Sequence, residues 1–330
     1  MVRLAMLSFW HVHARDYARQ AKEHPDTEIV AVWDEIAERG KAEAERLAVP
    51  FYESIDELLS QDNIDGVIVD TPTNMHYEVM TKAAQAGKHI FTEKVLALTL
   101  REANKIVSCV NEANVKLTVS LPRLNDDYTL AIQNILSQGL LGDLTYARVR
   151  LAHNGAIANW LPEHFYSLAQ CGGGALTDLG CHPMYLTRLF LGVPERVSAS
   201  YGHVLGKEVE DNAVAVLSYE NGTLGVVEAG FVTAASPFSI EIHGTAGSVV
   251  YGLPQAKVLL KTSMGESKEW LEYPLPSSRP SAFEQWVAHI QEDTTADENI
   301  AMALDLTKLI EAANLSVQHN SPYALHALEA

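Results

Sequence analysis

The chain has 330 residues, a length that exceeds one ordinary hydrophobic core and favours two domains. Hydrophobic residues make up 47% of the chain and charged residues 20%, which excludes a disordered protein and is typical of a globular one. The formal net charge of −18 disfavours binding to nucleic acid or to an anionic membrane surface.

The apolar segments are short, and the cysteines are few. No secretory signal is recognisable at the N-terminus, and no apolar stretch reaches the roughly 18 residues that a membrane-spanning helix needs. The three cysteines, Cys109, Cys171 and Cys181, leave at least one thiol that cannot pair within the chain. We therefore expect a reduced, cytoplasmic protein.

The first 120 residues alternate strand-like and helix-like segments, which predicts βαβ units and a parallel sheet. Capping boxes begin helices at Ser54 and Thr99, and Gly87 stands where a helix C-terminus is expected. The predicted strands lie at 4–7, 28–33, 64–70, 89–92 and 115–120. One helix is predicted over 12–23, a second begins at 54, a third ends at 86 and a fourth begins at 99.

From about residue 121 the pattern changes to consecutive strand signals with short turns, which predicts an antiparallel sheet. Asn221-Gly222 indicates a type I′ hairpin turn between two of these strands. Helices are predicted near 127–138, 178–191 and 281–318. Strands are predicted near 144–153, 195–204, 212–219, 223–232, 237–243, 247–251, 256–261 and 268–273. The expected plan is an α/β domain of the nucleotide-binding type, then an α+β domain with a large, mostly antiparallel open sheet.

Three motifs, in a fixed order, make the chain resemble a known family. Residues 71–76 read TPTNMH after a predicted strand, Glu93-Lys94 follows the next strand, and residues 172–182 read GGGALTDLGCH. Together with the two-domain plan, they resemble the Gfo/Idh/MocA family over essentially the whole chain. The resemblance implies an NAD(P)-dependent dehydrogenase that acts on CH–OH groups of a sugar, inositol or related polyol. It implies a Rossmann domain over 1–120 and a substrate and oligomerisation domain over 121–330, whose helices after about 281 pack back on the first domain.

Asp34 follows the second predicted strand, where a carboxylate can accept from both hydroxyls of an adenosine ribose. A carboxylate repels a 2′-phosphate, and neither Glu35 nor Ile36 is basic, so the sequence favours NAD over NADP. A solvated acid at a strand end is the alternative interpretation. The resemblance places four residues along the nicotinamide half of the cofactor: Thr71, Pro72, Asn74 and His76.

The phosphate loop departs from the family pattern. A G-x-G-x-x-G turn is expected after the first strand, and residues 8–14 contain no glycine. Glycines serve there because the backbone adopts φ > 0 and approaches the pyrophosphate closely. We expect the N-terminus of the next helix, with a histidine donor, to replace that cradle; the alternative is a packed loop that binds nothing. The residues assigned to this contact are Ser8, Phe9, Trp10, His11 and His13.

Glu93-Lys94 matches the family's E-K-P motif, with Val95 in place of the proline. The resemblance implies that Glu93 contacts a nicotinamide-side ribose and that Lys94 contacts both cofactor and substrate hydroxyl. An ammonium there can stabilise a developing alkoxide or take part in proton transfer. The alternative for Lys94 is a surface lysine, since most lysines are exposed.

Asp178 and His182 are four residues apart, a spacing that places both on one face of a single helix. Gly180 between them lacks a side chain, so we expect a flat ring to approach that helix. The resemblance implies that His182 is the general base and that Asp178 orients the substrate or balances the charge of Lys94. A structural Asp–His pair is the alternative. Tyr185 occupies the position of an acidic residue of the family.

Further substrate contacts are predicted where rings can stack on sugars and where His or Arg can bind hydroxyls, although packing is the commoner role of such residues. Besides Asp178 and His182 they are Arg123, His153, Trp160, His164 and Tyr166. We expect a homodimer or homotetramer that associates through the outer face of the C-terminal sheet.

Three other functions stay open. The missing glycines favour a non-catalytic sugar or nucleotide sensor, and an NAD-using glycosidase or epimerase would need the same residues. A zinc enzyme is disfavoured, because the spacing of the zinc-capable residues matches neither C-x-x-C nor H-E-x-x-H. Those residues are Cys171, Cys181, His182, His164, His11 and His13. We therefore expect no metal.

Overall fold

The computed structural model describes residues 1–236, 238–253, 255–265 and 267–329. The chain forms two compact units. The first comprises Met1–Leu121 and Pro280–Leu304, and the second comprises Pro122–Arg279 and Asp305–Glu329. Each unit is built on one sheet.

The first unit carries the predicted parallel sheet. Its strands are β1 Val2–Leu7, β2 Thr27–Trp33, β3 Phe51–Tyr52, β4 Gly66–Val69, β5 His89–Thr92 and β6 Leu117–Val119. Its first helices are α1 Ala14–Glu23, α2 Ala37–Leu47, α3 Ile55–Leu59, α4 His76–Gln85 and α5 Leu100–Glu112. All pairs are parallel in the order β3-β2-β1-β4-β5-β6, so the strand order reverses between β1 and β4. Ligands bind at such a reversal, at the carboxyl ends of the strands.

Local signals fixed several helix ends in this unit. The Ser54 side chain accepts from the Glu57 N–H and the Thr99 side chain from the Glu102 N–H, each at 3.2 Å, which confirms the N-cap half of each predicted capping box. Gly87 ends α4 with a φ of +72°. The sequence pattern predicted neither α2 nor β3, and α2 carries a residue of the candidate site.

The second unit carries a nine-stranded sheet. Its helices are α6 Asp127–Ser137, α7 Leu168–Cys171, α8 Ala175–Asp178 and α9 Cys181–Leu191. Its strands are β7 Leu144–Ala152, β8 Arg196–Gly202, β9 Asn212–Ser218, β10 Leu224–Gly230, β11 Ser239–Gly244, β12 Gly247–Tyr251, β13 Val258–Thr262, β14 Leu271–Glu272 and β15 Tyr323–Ala324. The order is β14-β13-β12-β11-β7-β10-β9-β8-β15, with β7 and β10 parallel and the other pairs antiparallel. The predicted, mostly antiparallel open sheet is confirmed.

Two C-terminal helices complete the fold, α10 Ala282–Gln291 and α11 Asp297–His319. α10 begins at a full capping box in which Ser281 and Glu284 bond reciprocally. It packs in the first unit, where Trp286 is fully buried and its ring lies 5.8 Å from that of Phe91.

The hairpin between β9 and β10 is confirmed, but its predicted turn type is wrong. A type I′ turn needs a positive φ at both central residues. Of the Asn221-Gly222 pair only Gly222 has one, at +86°, and its N–H donates to the Tyr219 carbonyl at 3.0 Å. Within this turn only Gly222 takes the left-handed conformation, which costs a glycine less than it costs a residue with a side chain.

The two faces of the nine-stranded sheet differ. α9 packs on β7 and β10, against buried residues such as Val149 and Val227. The opposite face presents ion pairs, among them Arg148 to Glu228 at 2.9 Å, and the side chain of Val214, which is 42% exposed. In the described part of the chain no helix is both long and apolar enough to cross a membrane. The three cysteines are thiols.

Candidate functional site

The loop after β1 turns through Ser8, whose φ of +78° lies in the left-handed region that favours glycine. Ser8 is fully buried, and its N–H donates to the Trp33 carbonyl at 2.7 Å. Its Oγ accepts from the Trp10 N–H at 3.1 Å. A serine thus takes the conformation expected of a glycine, and these hydrogen bonds help to offset a cost of about 1–2 kcal/mol.

Three other backbone amides of this loop find acceptors within the first unit. The Phe9 N–H donates to Asp34 Oδ2 at 2.9 Å. The His11 N–H donates to the Asp70 carbonyl at 3.2 Å. The His13 N–H donates to His11 Nδ1 at 3.3 Å. A glycine-rich cradle presents such amides to phosphate, so a phosphate at this loop has to rely more on side chains and on the N-terminus of α1.

Asp34 lies at the end of β2 with a side chain that is 0% exposed, which rules out a solvated acid. Arg39 donates one N–H to each carboxylate oxygen at 2.8 Å and also pairs with Glu35 at 2.6 Å. The backbone N–H groups of Phe9 and Ile36 complete the set of donors, at 2.9 and 2.8 Å. Sequence reasoning considered only the two residues after Asp34. It missed Arg39 because α2, which carries this guanidinium back to the strand end, had not been assigned.

Glu93 lies fully buried at the end of β5 and collects donors from two segments. Its Oε1 accepts from the Tyr17 hydroxyl and lies 2.8 Å from His13 Nδ1 and 3.6 Å from His11 Nδ1. Its Oε2 accepts from the Lys94 backbone N–H at 3.0 Å. Burial alone would raise the pKa of Glu93, but the charges of His11 and Lys94 and the hydrogen bond from His13 hold it well below its usual value.

Lys94 is buried, which excludes the surface role that most lysines have. Its Nζ lies 3.8 Å from Glu93 Oε2. The peptide bond between Lys94 and Val95 is cis. The lysine thus lies inside the first unit beside a carboxylate, at the carboxyl end of the sheet.

Asp70 and Thr71 are polar residues at the end of β4. Sequence reasoning predicted a cofactor contact for Thr71 but missed Asp70. Both carboxylate oxygens of Asp70 and the Thr71 hydroxyl are buried and have no hydrogen-bond partner among the described residues. Burial, and then the charge of Glu93, raise the pKa of Asp70 well above its usual value. An acid that ends an otherwise apolar strand was the available signal for Asp70. Orphaned polar atoms here mark a place where a ligand can bind.

The His76 ring contacts the backbone of two turns of the first unit, one after β4 and one after β5. Its Nδ1 lies 3.0 Å from the Val95 carbonyl and its Nε2 lies 3.2 Å from the Thr71 carbonyl. Burial lowers the pKa of His76 to about 4, so the ring is neutral at physiological pH. Of the other predicted nicotinamide-side residues, Pro72 is buried and Asn74 is exposed. Contact of these four residues with a cofactor stays a prediction.

In the second unit, Asp178 and His182 do not share one helix, so the predicted common helix face is wrong. α8 ends at Asp178 and α9 begins at Cys181. Gly180 lies in this break, where a Cβ would lie 2.9 Å from Ala229 Cβ. The glycine therefore serves close packing against β10, rather than the approach of a ligand ring.

The glycine run before α8 is held by a buried glutamate that sequence reasoning missed. Gly172 has a φ of +70° and ends α7. Glu210 accepts from the N–H groups of Gly174 and Leu176, both at 2.8 Å, and a Cβ on Gly174 would collide with the Glu210 carbonyl. Acceptors at a helix N-terminus satisfy its first N–H groups, so Glu210 positions the short helix that ends in Asp178.

His182 is buried, and its Nδ1 lies 2.9 Å from the Tyr185 hydroxyl. The same hydroxyl accepts from the Arg123 backbone N–H at 3.1 Å. Tyr185, which replaces the family's acidic residue, therefore contacts the predicted general base directly. Asp178 acts on another predicted residue, because its charge partly opposes the lowering of the His153 pKa by burial.

His153 and Trp160 form an aromatic ledge. The His153 ring stacks on the Phe231 ring with centroids 5.2 Å apart. The Trp160 ring also contacts His153, with a centroid distance of 4.6 Å. Trp160 is 53% exposed, which leaves part of its ring surface accessible. The structure thus brings these two predicted substrate residues together.

The remaining predicted substrate residues are engaged in packing. The Arg123 guanidinium lies 4.3 Å from the Phe238 ring centroid and donates to the Tyr128 hydroxyl at 3.0 Å. Tyr166 is buried beneath Lys207, whose Nζ lies 4.8 Å from the ring centroid. The His164 carbonyl faces the Cys171 thiol at 3.5 Å. Their role in substrate binding stays a prediction.

Comparisons with known proteins agree with this architecture. Residues 10–121 match the family described as oxidoreductases with an NAD-binding Rossmann fold, and residues 129–250 match the GFO/IDH/MocA C-terminal domain. A 1,5-anhydro-D-fructose reductase from Ensifer adhaerens is 30% identical over 268 residues, which cover 77% of this chain and 79% of the relative. The scyllo-inositol 2-dehydrogenase (NAD(+)) of Bacillus subtilis is 27% identical over 281 residues, 81% of this chain and 78% of the relative.

A solved structure shows the same fold. An NAD-binding protein from Listeria innocua superposes with a TM-score of 0.83 at 23% identity, over 99% of this chain and 98% of that one. The protein is therefore an oxidoreductase whose first unit has an NAD-binding Rossmann fold. It belongs to the Gfo/Idh/MocA family, as its three motifs predicted.

The neutral, buried His76 predicts a pH-dependent stability. Its folded pKa is lowered to about 4 and an unfolded histidine titrates near about 6.5, so the unfolded chain takes up a proton first as the pH falls. Stability is therefore lost between about pH 6.5 and 4, by about 3 kcal/mol in total. Urea unfolding of the wild type and of His76→Gln should show this extra loss in the wild type alone. Parallel pH profiles of the two proteins would contradict this account.

Proposed function

We propose that this protein is a dehydrogenase that moves a hydride between NAD and a hydroxyl-bearing carbon of a sugar, inositol or related polyol. The observation that carries the proposal is the set of polar groups at the carboxyl ends of β1, β2, β4 and β5. They are Ser8 in the left-handed conformation, Asp34, the orphaned Thr71 hydroxyl, and Glu93-Lys94. In a doubly wound sheet these strand ends are where a dinucleotide binds. The bound nicotinamide would accept or return the hydride.

Lys94 is suited to hold charge on a substrate oxygen. Its ammonium is buried beside Glu93, and in a low-dielectric interior an oriented cation stabilises a developing alkoxide far more than it does in water. The 3.8 Å contact with Glu93 Oε2 restrains the ammonium. We assign to Lys94 the stabilisation of the hydroxyl oxygen as it becomes a carbonyl.

His182 is our candidate for the general base of the oxidation, with Tyr185 as its positioning residue. The Tyr185 oxygen, which already accepts from the Arg123 backbone N–H, can also accept a hydrogen bond from His182 Nδ1–H. In that tautomer Nε2 is the basic nitrogen of the ring. Asp178, on the preceding short helix, would orient the substrate.

The substrate class rests on the names of the relatives and on the aromatic ledge. Two relatives are named for a reductase of a sugar derivative and for an inositol dehydrogenase. In this chain Trp160 offers ring surface for stacking on a sugar face, next to the His153 ring. We propose that the ledge contacts the substrate.

Replacing Lys94 tests the proposed activity. In a screen of sugars and polyols with NAD, Lys94→Ala should lower kcat/KM on the best substrate by at least about 100-fold, because the charge on the reacting oxygen loses its partner. NAD affinity, measured by calorimetry, should fall much less than kcat/KM, because Lys94 is only one of the groups proposed to contact the cofactor. Lys41→Ala, which removes an exposed lysine of the same unit, is the matched control. Turnover of Lys94→Ala at the wild-type rate would rule out the assigned role.

We propose NAD rather than NADP as the physiological cofactor, because Asp34 would oppose a 2′-phosphate. Arg39 complicates this preference, since its guanidinium lies at the same strand end and is held there by Asp34. A guanidinium released from a carboxylate is a good ligand for phosphate. The Asp34–Arg39 pair therefore makes the preference between NAD and NADP depend on the Asp34 side chain.

Asp34→Ser should raise the ratio of NADP to NAD affinity by at least about 10-fold, because it removes the repulsive charge and frees Arg39. The double variant Asp34→Ser/Arg39→Ala should lose most of that gain. Calorimetry with both nucleotides measures the ratio. An equal gain in the single and double variants would show that Arg39 plays no part.

We also propose a cytoplasmic homo-oligomer that associates through the open face of the nine-stranded sheet. The face presents exposed apolar side chains such as Val214, which gain from burial, next to charged residues such as Arg148 and Glu228, which can pair with opposite charges of a second copy. Val214→Arg, at the centre of β9, should shift the protein towards a monomer in sedimentation velocity. A wild type that is monomeric at micromolar concentration would refute the assembly.

A further inference from the structure

We propose that His11, His13 and Glu93 bind a divalent transition-metal ion of the zinc class at the N-terminus of α1. Each side chain offers one ligand atom, and these atoms lie within 4.8 Å of one another. It is the only group of this kind in the described part of the chain. The sequence had led us to expect no metal, and the proposed metal site shares its three residues with the predicted cofactor site, so metal binding is tested below without nucleotide.

The spacing of the ligand atoms fits a small tetrahedral ion. Zinc lies about 2.0–2.2 Å from nitrogen and oxygen ligands, so neighbouring ligand atoms of a tetrahedral site are about 3.4 Å apart. Glu93 Oε1 lies 2.8 Å from His13 Nδ1 and 3.6 Å from His11 Nδ1, distances that bracket this value. To bind the ion through Nδ1, His11 would give up the hydrogen bond that this nitrogen accepts from the His13 N–H. The two imidazole rings lie edge to face with centroids 4.8 Å apart, so both histidines lie on the same side of Glu93, and the side chains have to adjust their positions to admit the ion.

The two oxygens of Glu93 face different partners. Oε2 is directed to Lys94, whose backbone N–H lies at 3.0 Å and whose Nζ lies at 3.8 Å. Oε1 faces the histidines and the Tyr17 hydroxyl. The ammonium and the metal can therefore occupy opposite sides of one carboxylate, which lowers their mutual repulsion.

A second buried carboxyl lies beside the proposed site. The Asp70 backbone carbonyl accepts from the His11 N–H at 3.2 Å, which places this strand end next to the loop. Both side-chain oxygens of Asp70 are buried and lack a hydrogen-bond partner among the described residues. Metal-bound water commonly donates to such an outer carboxylate. The ion would thus supply a donor for an otherwise orphaned group.

The ligand types select the metal. Imidazole nitrogens suit zinc, cobalt, nickel and copper, whereas magnesium and calcium prefer oxygen ligands. Two histidines and one glutamate are also a ligand set found at zinc sites that keep a fourth position for water or another ligand. The loop that lacks the family's glycines carries both of these histidines.

Calorimetry with Zn²⁺ on the full, tag-free chain, stripped of metal and nucleotide, tests this inference. We expect one equivalent to bind with a micromolar or lower dissociation constant. His13→Ala should weaken binding by more than about 100-fold, since loss of even an outer partner can cost that much. At 43% exposed, the His13 side chain is the least buried of the three ligands, so its removal should disturb the packing least. His203→Ala, at an exposed histidine of the second unit, is the matched control and should bind like the wild type.

Two further readouts report on the same site. Cobalt(II) should give the intense visible bands of tetrahedral coordination in the wild type and not in His13→Ala. Zn²⁺ should raise the melting temperature of the wild type more than that of the variant. The inference is overturned if the wild type binds no stoichiometric zinc or if His13→Ala binds as tightly as the wild type. Because no nucleotide is present, either of these results leaves the proposed dehydrogenase activity to its own test.

Discussion

The ionised carboxylate of Glu93, buried at the end of β5, depends on donors from the loop after β1 and from α1. Burial of a charge costs several kcal/mol unless donors surround it. His13 and Tyr17 supply them from one side and Lys94 from the other. Removing any one partner therefore affects the position of the others. The loop that replaces the glycine-rich turn and the candidate catalytic lysine are coupled through this one side chain.

The second unit positions its predicted site residues by a similar device. Glu210 accepts from the first N–H groups of α8 and holds the glycine run that precedes it. Beyond the break at Gly180, the Tyr185 hydroxyl links His182 to the backbone of Arg123. In both units, buried hydrogen bonds from unremarkable positions fix the side chains to which the family resemblance assigns the chemistry.

The sequence predicted what depends on periodicity and on local capping, because these patterns follow from burial along a helix or strand. The parallel and antiparallel sheets and the caps at Ser54 and Thr99 belong to this class, whereas the family was predicted from the resemblance of three motifs. The sequence did not predict features that depend on contacts between segments distant in the chain. Arg39 reaches Asp34 only because α2 folds back to the strand end. The interruption between Asp178 and His182 depends on how closely α8 and α9 pack on β10, which a four-residue spacing does not encode.

The phosphate loop is the point on which the account depends. Ser8 adopts the conformation of a glycine, while several neighbouring amides are already bonded within the protein. Titration calorimetry of NAD(H) and NADP(H) into the protein freed of bound nucleotide tests directly whether this loop holds a dinucleotide. The account predicts NAD(H) binding at micromolar concentration or tighter, with NADP(H) weaker. No binding of either nucleotide would contradict it.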